Sequence, residues 1–260
     1  MNVTIIGTGN VGQYLIRFFS KIENINLQIC GRNSNVLHQF AVECECATVD
    51  SIKKIDTNAD FTLLAVSDNA YKEVIEQMPN VKGIVIHTAG SVPLAVFGAK
   101  FNRCGVMYPL QTFSATRKSD FKNIPFCVEA SDTDTLNKIH KLSKKLSKDV
   151  RFMNSEQRKV IHLAAVFACN FTNHMYSVAA KILESQHIPF AVFQALITET
   201  AKKACEMNPV LAQTGPAMRN DQSTIKSHLE ILESNADLQK LYSFVSESIA
   251  NFKKQEDIND

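Results

Sequence analysis

Three glycines near the start of the chain have the spacing of a turn that binds the phosphates of a dinucleotide. They follow an apolar run at residues 3–6 and precede an amphipathic helical pattern at residues 11–20. Glycine permits the tight turn, the close approach of backbone to pyrophosphate and the packing of helix on strand. The helix adds unpaired N–H groups and a positive dipole end. The expected cofactor contacts in this turn are Gly7, Thr8, Gly9, Asn10, Val11 and Gly12. A tight turn without a ligand is the alternative.

A basic and polar group follows the second apolar run, at residues 27–30. Enzymes that use NAD usually place an acid here, on the ribose hydroxyls, whereas this chain has Arg32, Asn33 and Ser34. A carboxylate would repel the additional phosphate of NADP, and a guanidinium can hold that phosphate with a fork of N–H donors. The sequence therefore favours NADP(H) over NAD. An arginine paired on the surface is the alternative.

Two later apolar runs also end in polar residues. Val66, Ser67 and Asp68 lie at the end of one of them and are expected to border the cofactor, although Ser67 or Asp68 can instead cap the next helix. His87 ends the next run and is expected near the nicotinamide, as a cofactor contact or a catalytic residue. A structural histidine fits the same pattern equally well. Tyr108 follows a further run and is expected in the wall of the substrate cleft.

Candidates for proton transfer lie in the second half of the chain. A capping box at Asn154 and Gln157 begins a long helical pattern that reaches about residue 185. On an ideal helix His162 and Asn170 are about 80° apart, so they share one broad face. His162 is the candidate proton donor because an unperturbed imidazole titrates near neutrality, and Asn170 is a candidate partner. The alternative is that both are satisfied polar residues at a domain or subunit interface.

A Thr-Gly-Pro sequence interrupts the helical patterns near residue 215. Thr214 and Arg219 are expected to reach the substrate from this loop, since a guanidinium can bind a carboxylate with two hydrogen bonds. Alternatively, Asp221 caps the next helix and Arg219 pairs with it locally.

The elements that must position these residues change in kind near residue 153. Apolar runs alternate with helical patterns before it, which is typical of a doubly wound α/β domain with a mostly parallel sheet. The predicted strands are residues 3–6, 27–30, 61–66, 83–87, 105–108, 126–129 and 150–153. The predicted helices are residues 11–20, 35–42, 69–78, 134–147, 154–185, 190–206, 223–232 and 236–252. The sequence thus predicts a Rossmann domain at residues 1–153 and an all-helical domain at residues 154–260.

Composition excludes several classes of protein. The chain has 260 residues, of which 45% are hydrophobic, and a net charge of +2, so it is neither disordered nor suited to nucleic acid. We expect no secretory signal and no membrane span. The seven cysteines contain no C-x-x-C pair, which favours reduced thiols in the cytoplasm. Cys44 and Cys46 lack a second Cys or His pair nearby, so no metal site is predicted.

Several motifs occur together in one order along the chain. After the glycine turn they are Ala65-Val66-Ser67-Asp68, His87-Thr88-Ala89-Gly90, Tyr108-Pro109-Leu110-Gln111, His162-Leu163-Ala164-Ala165-Val166, Asn170, Thr214-Gly215-Pro216 and Arg219-Asn220-Asp221. This order resembles a bacterial family of NADP oxidoreductases of unestablished substrate, in which a Rossmann-like domain precedes a helical domain of unknown function. It is more distantly similar to pyrroline-5-carboxylate reductase, ketopantoate reductase, the 3-hydroxyacid dehydrogenases and the deazaflavin-dependent NADP reductases.

The resemblance implies a homodimer formed through the helical domain, which also supplies a wall of the active site. In the 3-hydroxyacid dehydrogenases a lysine precedes the helix asparagine by four residues. If Asn170 is that asparagine, the lysine position holds Val166, which cannot exchange a proton.

Two functions remain open on the sequence. The first is an NADPH-dependent reductase that transfers a hydride to a small carbonyl or imine bound between the two domains, and the candidate residues in the cleft favour it. The second is a non-catalytic NADP-binding sensor or regulatory dimer, which the missing lysine favours. Neither involves nucleic acid or a membrane.

Overall fold

The computed structural model describes residues 1–114 and 121–259. The chain divides into two compact units, Met1–Met175 and Tyr176–Asp260. The last strand ends at Phe152, where the sequence predicts the change from strands to helices. The first compact unit extends beyond this strand to Met175, so it also includes the helical segments Ser155–Ala165 and Val166–Phe171.

The first unit is built on an eight-stranded sheet with the order β3-β2-β1-β4-β5-β6-β7-β8. The strands are β1 (Asn2–Ile6), β2 (Asn26–Cys30), β3 (Ala47–Val49), β4 (Phe61–Leu64), β5 (Ile84–His87), β6 (Cys104–Pro109), β7 (Phe126–Ala130) and β8 (Val150–Phe152). Every neighbouring pair is parallel except β6 and β7, so β7 and β8 run against the other six strands. The predicted mostly parallel sheet is confirmed. The sequence missed β3, which has three residues, none of them buried.

Two hydrophobic clusters cover the two faces of this sheet. Successive strand residues point to opposite faces, and in β1 the side chain of Ile5 belongs to one cluster while that of Ile6 belongs to the other. In β4 all four residues are buried. A strand buried on both faces reads as a continuous apolar run, which is why the sequence identified β1, β4 and β5. The predicted doubly wound α/β architecture is confirmed.

The helices follow the predicted segments with small differences at their ends. They are α1 (Asn10–Phe19), α2 (Ser34–Glu43), α3 (Tyr71–Gln77), α4 (Thr133–Leu146), α5 (Ser155–Ala165), α6 (Thr172–Glu184), α7 (Gln194–Glu206), α8 (Gln222–Ile231) and α9 (Ala236–Asn259). Short 3-10 helices include Asp68–Ala70, Leu94–Phe97 and Phe190–Phe193. The predicted capping box is present, because Asn154 and Gln157 exchange side-chain and backbone hydrogen bonds at the start of α5.

The predicted helix from 154 to 185 is not a uniform α-helix. A π-helical segment, Val166–Phe171, separates α5 from α6, and the Thr172 hydroxyl donates to the Phe167 carbonyl at 3.2 Å. Because a π-helix bonds each residue to the fifth along rather than the fourth, the ideal-helix angle between His162 and Asn170 does not apply. No helix in the described ranges is both long enough and apolar enough to cross a bilayer.

Candidate active site

The glycine turn has the geometry that its spacing predicts. Gly7 has a φ of 109°, and a Cβ there would lie 2.2 Å from the Ala65 carbonyl oxygen. A Cβ at Gly12 would lie 2.2 Å from the Gly7 carbonyl oxygen, whereas a Cβ at Gly9 would meet nothing within 4 Å. Two glycines are therefore required by backbone packing, and the third borders open space. That space is where a pyrophosphate would approach the backbone.

The amino end of α1 is open to an anion. Gly9 is the N-cap residue and supplies no side-chain hydrogen bond to the first turn, so the N–H groups there can receive a phosphate. The Asn10 amide donates to the Phe113 carbonyl at 3.1 Å, and the Tyr14 hydroxyl donates to the Ser114 carbonyl at 3.2 Å. The side chain of Asn10 thus holds the segment after β6 against α1, which leaves its backbone for the predicted cofactor contact.

The three polar residues that follow β2 have different roles. Asn33 is the N-cap of α2, where its side chain accepts from the N–H groups of Asn35 and Val36 at 3.1 and 3.2 Å. Arg32 is exposed and forms no ion pair within the described part of the chain, and Ser34 is also exposed. An unpaired guanidinium beside a helix amino end suits a phosphate group.

Polar residues also meet at the carboxyl ends of β4 and β5. Ser67 and Asp68 are exposed and Val66 is half-buried. The Ser91 hydroxyl, on the loop after β5, donates a hydrogen bond to the Asp68 carboxylate. Ser67 is the N-cap residue of a 3-10 helix but makes no side-chain capping bond. These residues border the same sheet edge as the glycine turn, as the sequence predicts.

His87 lies in the core, which corrects the expectation that it contacts the nicotinamide or takes part in catalysis. Its side chain is 0% exposed, with ring centroids 5.3 Å from Tyr71 and 5.5 Å from Phe97. Its Nδ1 accepts from the Ala89 N–H at 3.3 Å. Burial, with a smaller effect from the charge of Arg158, lowers the pKa of His87 to about 3. A ring with no accessible surface cannot touch a cofactor, and this one is neutral near pH 7.

His162 instead forms a pair with Tyr108 at the carboxyl end of β6. The Tyr108 hydroxyl and His162 Nδ1 are 3.2 Å apart, and the rings meet edge to face with centroids 6.0 Å apart. Both side chains are half-buried. Gly90 makes room for the pair, because a Cβ there would lie 2.7 Å from Tyr108 Cζ and 2.8 Å from His162 Nδ1. The sequence suggested each residue separately but did not predict that they bond.

Burial raises the pKa of Tyr108 to about 12. Smaller contributions come from the negative charges that Cys127, Asp68 and Cys169 can carry, while Arg158 acts in the opposite direction. The phenol is therefore protonated throughout the neutral range. It can donate a hydrogen bond or accept one from the imidazole.

Arg158 anchors the helix that carries His162. It is 0% exposed, forms an ion pair with Glu129 on β7 and donates to the Val92 carbonyl at 2.6 Å. The Ser155 hydroxyl also donates to Glu129, at 2.8 Å. Because Arg158 and His162 are four residues apart, they share one face of α5. The sequence reasoning missed this anchor, although Glu129 at the end of an otherwise apolar strand was an available signal.

The remaining predicted site residues lie in the π-helical segment and in the second unit. Asn170 lies in the π-helical segment and is exposed. Thr214 and Arg219 belong to the second unit and are exposed, and their role toward a substrate stays a prediction. Asp221 caps α8 by accepting from the Thr224 N–H at 3.1 Å, which confirms the alternative interpretation of that residue. The described residues contain no group of three or more His, Cys, Asp or Glu that could hold a metal ion.

Comparison with protein families gives two matches along the chain. Residues 2–90 match the family "NADP oxidoreductase coenzyme F420-dependent". Residues 124–249 match a domain of unknown function, DUF2520. A search of curated proteins finds no match.

Solved structures extend this likeness over nearly the whole chain. A putative NADP oxidoreductase from Bacteroides fragilis is 37% identical, with a TM-score of 0.89, over 96% of this chain and 98% of that one. A Thermotoga maritima protein is 21% identical, with a TM-score of 0.74, over 98% and 99% of the two chains. A pyrroline-5-carboxylate reductase from Coxiella burnetii is 19% identical, with a TM-score of 0.57, over 98% and 97%. The last two show a shared fold.

Proposed function

We propose a reaction on one premise: this chain belongs to the family of NADP oxidoreductases in which an F420-dependent-type NADP oxidoreductase domain precedes the domain of unknown function DUF2520. The reaction is the NADPH-dependent reduction of a small carbonyl or imine. The observation that carries this proposal is the Tyr108–His162 pair, at the edge of the sheet that also holds the glycine turn. A reductase needs both a cofactor turn and a nearby source of a proton.

The residues present fit a nicotinamide dinucleotide with an additional phosphate. The open space at Gly9 and the uncapped amino end of α1 suit the pyrophosphate. The exposed Arg32 suits the ribose phosphate of NADP, with Ser34 beside it. When bound, NADPH supplies the hydride, and the chain must orient the substrate and provide the proton.

The proposed proton source is His162, within its pair with Tyr108. Its ring is half-buried, so it is held in place by the protein and still has accessible surface. Asn170, Thr214 and Arg219 are proposed to bind polar groups of the substrate. Val66, Ser67 and Asp68 are proposed to border the cofactor at the carboxyl end of β4.

The first test concerns the cofactor and the role of Arg32. NADPH should raise the melting temperature more than NADH does, because a ligand that binds only the folded state stabilises it. Arg32→Gln should weaken NADPH binding by about 10- to 100-fold, as expected for a charge-assisted contact, and leave NADH unchanged. Arg151→Gln, which changes an arginine paired with Asp149, is the matched control. Equal shifts for both nucleotides would refute the Arg32 assignment, and no shift would refute the cofactor.

The second test concerns the reaction. NADPH absorbance is followed with small keto acids, aldehydes, cyclic imines and deazaflavins as oxidants. Turnover with one of these classes is expected, and His162→Ala should lower it by about 10²-fold or more. Full turnover by His162→Ala would refute the proposed proton source.

A second candidate function is a non-catalytic NADP-binding regulator. It is supported by Val166, which is half-buried and cannot exchange a proton. If Asn170 corresponds to the helix asparagine of the 3-hydroxyacid dehydrogenases, Val166 stands where those enzymes carry their lysine. Tight NADPH binding without turnover of any class of oxidant would favour it.

We also propose that the chain forms a homodimer through its helical part. Large apolar side chains of α5 through α9 and the segments between them are exposed: Val160, Leu163, Phe167, Phe171, Ile182, Ile188, Val192, Leu196, Met207, Leu211, Ile231, Phe244, Val245 and Phe252. Large apolar side chains exposed in this number support an interface with a second copy of the chain.

A further inference from the structure

We propose that Tyr108 is a second catalytic residue, which passes its hydroxyl proton to the substrate and recovers a proton from His162. This inference rests on the proposed reductase function. It changes the expected role of Tyr108 from a wall of the cleft to the terminal proton donor. His162 then acts as the source behind it.

The positions of the two side chains favour this order. Tyr108 stands at the carboxyl end of β6, in the sheet edge where ligands of open α/β folds bind. His162 comes to the hydroxyl from α5, outside the sheet. Gly90 follows β5, the strand next to β6, and its lack of a Cβ leaves the space that both rings occupy. The hydroxyl is thus bonded to the imidazole and lies within the electrostatic influence of Asp68.

The charges around the hydroxyl support a relay rather than an isolated tyrosine. The Asp68 carboxylate, after β4, opposes a negative charge on the phenol. Arg158 on α5 favours that charge but is already paired with Glu129. Burial therefore keeps the pKa of Tyr108 at about 12, and a tyrosinate left after proton transfer would be costly. A second proton donor bonded to the oxygen removes that cost.

The proton balance of the step is complete. NADPH, when bound, would supply the hydride for the new C–H bond, and the π bond between carbon and the substrate oxygen or nitrogen would break. The Tyr108 O–H bond breaks as the new O–H or N–H bond forms, and the Nδ1 proton of the His162 imidazolium moves to the phenol oxygen. His162 ends neutral and regains its proton from water, so one turnover consumes one NADPH and one proton.

The kinetic test uses Tyr108→Phe and His162→Gln with the best oxidant from the screen. Tyr108→Phe should lower kcat by about 10²- to 10⁴-fold, with the NADPH dissociation constant unchanged. Because the relay starts from a protonated imidazole, kcat of the unaltered chain should fall as pH rises, and His162→Gln should abolish this fall. Tyr242→Phe is the matched control, because Tyr242 forms a similar bond to His228 Nδ1 at 2.8 Å in the second unit. Tyr108→Phe with more than a third of the original kcat would overturn the proposal.

A measurement on the pair itself needs no substrate. Two-bond ¹H–¹⁵N spectra of the histidine rings are recorded with NADP⁺ across pH, and His162→Gln identifies the His162 signals. Tyr108→Phe should shift the Nδ1 signal of His162 alone, and Tyr242→Phe should shift that of His228 alone. An unchanged His162 in Tyr108→Phe would overturn the relay. Absence of turnover in the unaltered chain would instead refute the proposed reaction, and with it a catalytic role for Tyr108.

Discussion

His87 shows how one buried side chain makes the stability of the molecule depend on pH. Its pKa in the folded chain is lowered to about 3, below the ordinary value near 6.5. Between these two values the unfolded chain binds a proton that the folded chain does not, so stability decreases as pH falls below about 6.5. Above that pH the ring is neutral in both states and this loss is absent.

We predict that His87 accounts for about 2 kcal/mol of stability lost between pH 7 and pH 5, from about 1.4 kcal/mol for each pH unit below the unfolded pKa. His87→Gln, which cannot titrate, should show a flatter dependence of unfolding free energy on pH in urea titrations. His38→Gln, at an exposed histidine, is the control and should follow the unaltered chain. Parallel curves for His87→Gln and the unaltered chain would contradict the assignment.

The residues that the sequence identified well are those whose backbone geometry carries the function. Gly7 and Gly12 are fixed by close backbone contacts, and glycine spacing reports such contacts directly. His87 was misplaced because a strand-end histidine looks the same whether it points outward or into the core. Residues two apart on a strand share a face, and Val85, two residues before His87, is buried. This shared face was the available signal.

At the scale of elements, the buried ion pair of Arg158 and Glu129 attaches α5 to β7. We predict that Arg158→Met destabilises the chain by about 3–5 kcal/mol, because it leaves a partly buried carboxylate without its partner. The double variant Arg158→Met with Glu129→Met should lose much less than the sum of the two single changes. Urea unfolding of the four proteins measures this coupling, and strictly additive losses would contradict it.

Element boundaries were predictable where periodicity was strong and failed where hydrogen bonding alone decides them. The α4 and α8 segments were found within a residue or two because their apolar faces repeat at helical spacing. The π-helical segment Val166–Phe171 left no sign in the pattern, since the same residues suit an ordinary helix. The bond from Arg158 to Val92 joins residues far apart in the chain, and pattern reasoning does not pair them.

At the scale of the whole molecule, the exposed apolar residues of the helical part predict self-association. We expect a dimer in sedimentation equilibrium at micromolar concentration. Phe244→Glu, on α9, should shift it toward monomer, because Phe244 is 72% exposed and a charge there is costly to bury. Val42→Glu, on α2 of the first unit and 68% exposed, is the matched control and should remain dimeric. A monomer in the unaltered chain would refute the dimer.

The order of the sheet has a consequence for how the chain can vary in length. Because β7 and β8 run against β6, the chain leaves β8 at the end of the sheet opposite to the end that carries Tyr108. Helix α5 then runs back toward the end that carries Tyr108. Glu129 is in register with Val106, two residues before Tyr108, a distance of about 6.6 Å along a strand. From Arg158 to His162 a helix advances about 6 Å, so the two lengths match. One residue inserted between Arg158 and His162 would turn the imidazole by about 100°. The three residues between Arg158 and His162 therefore tolerate substitution far better than insertion.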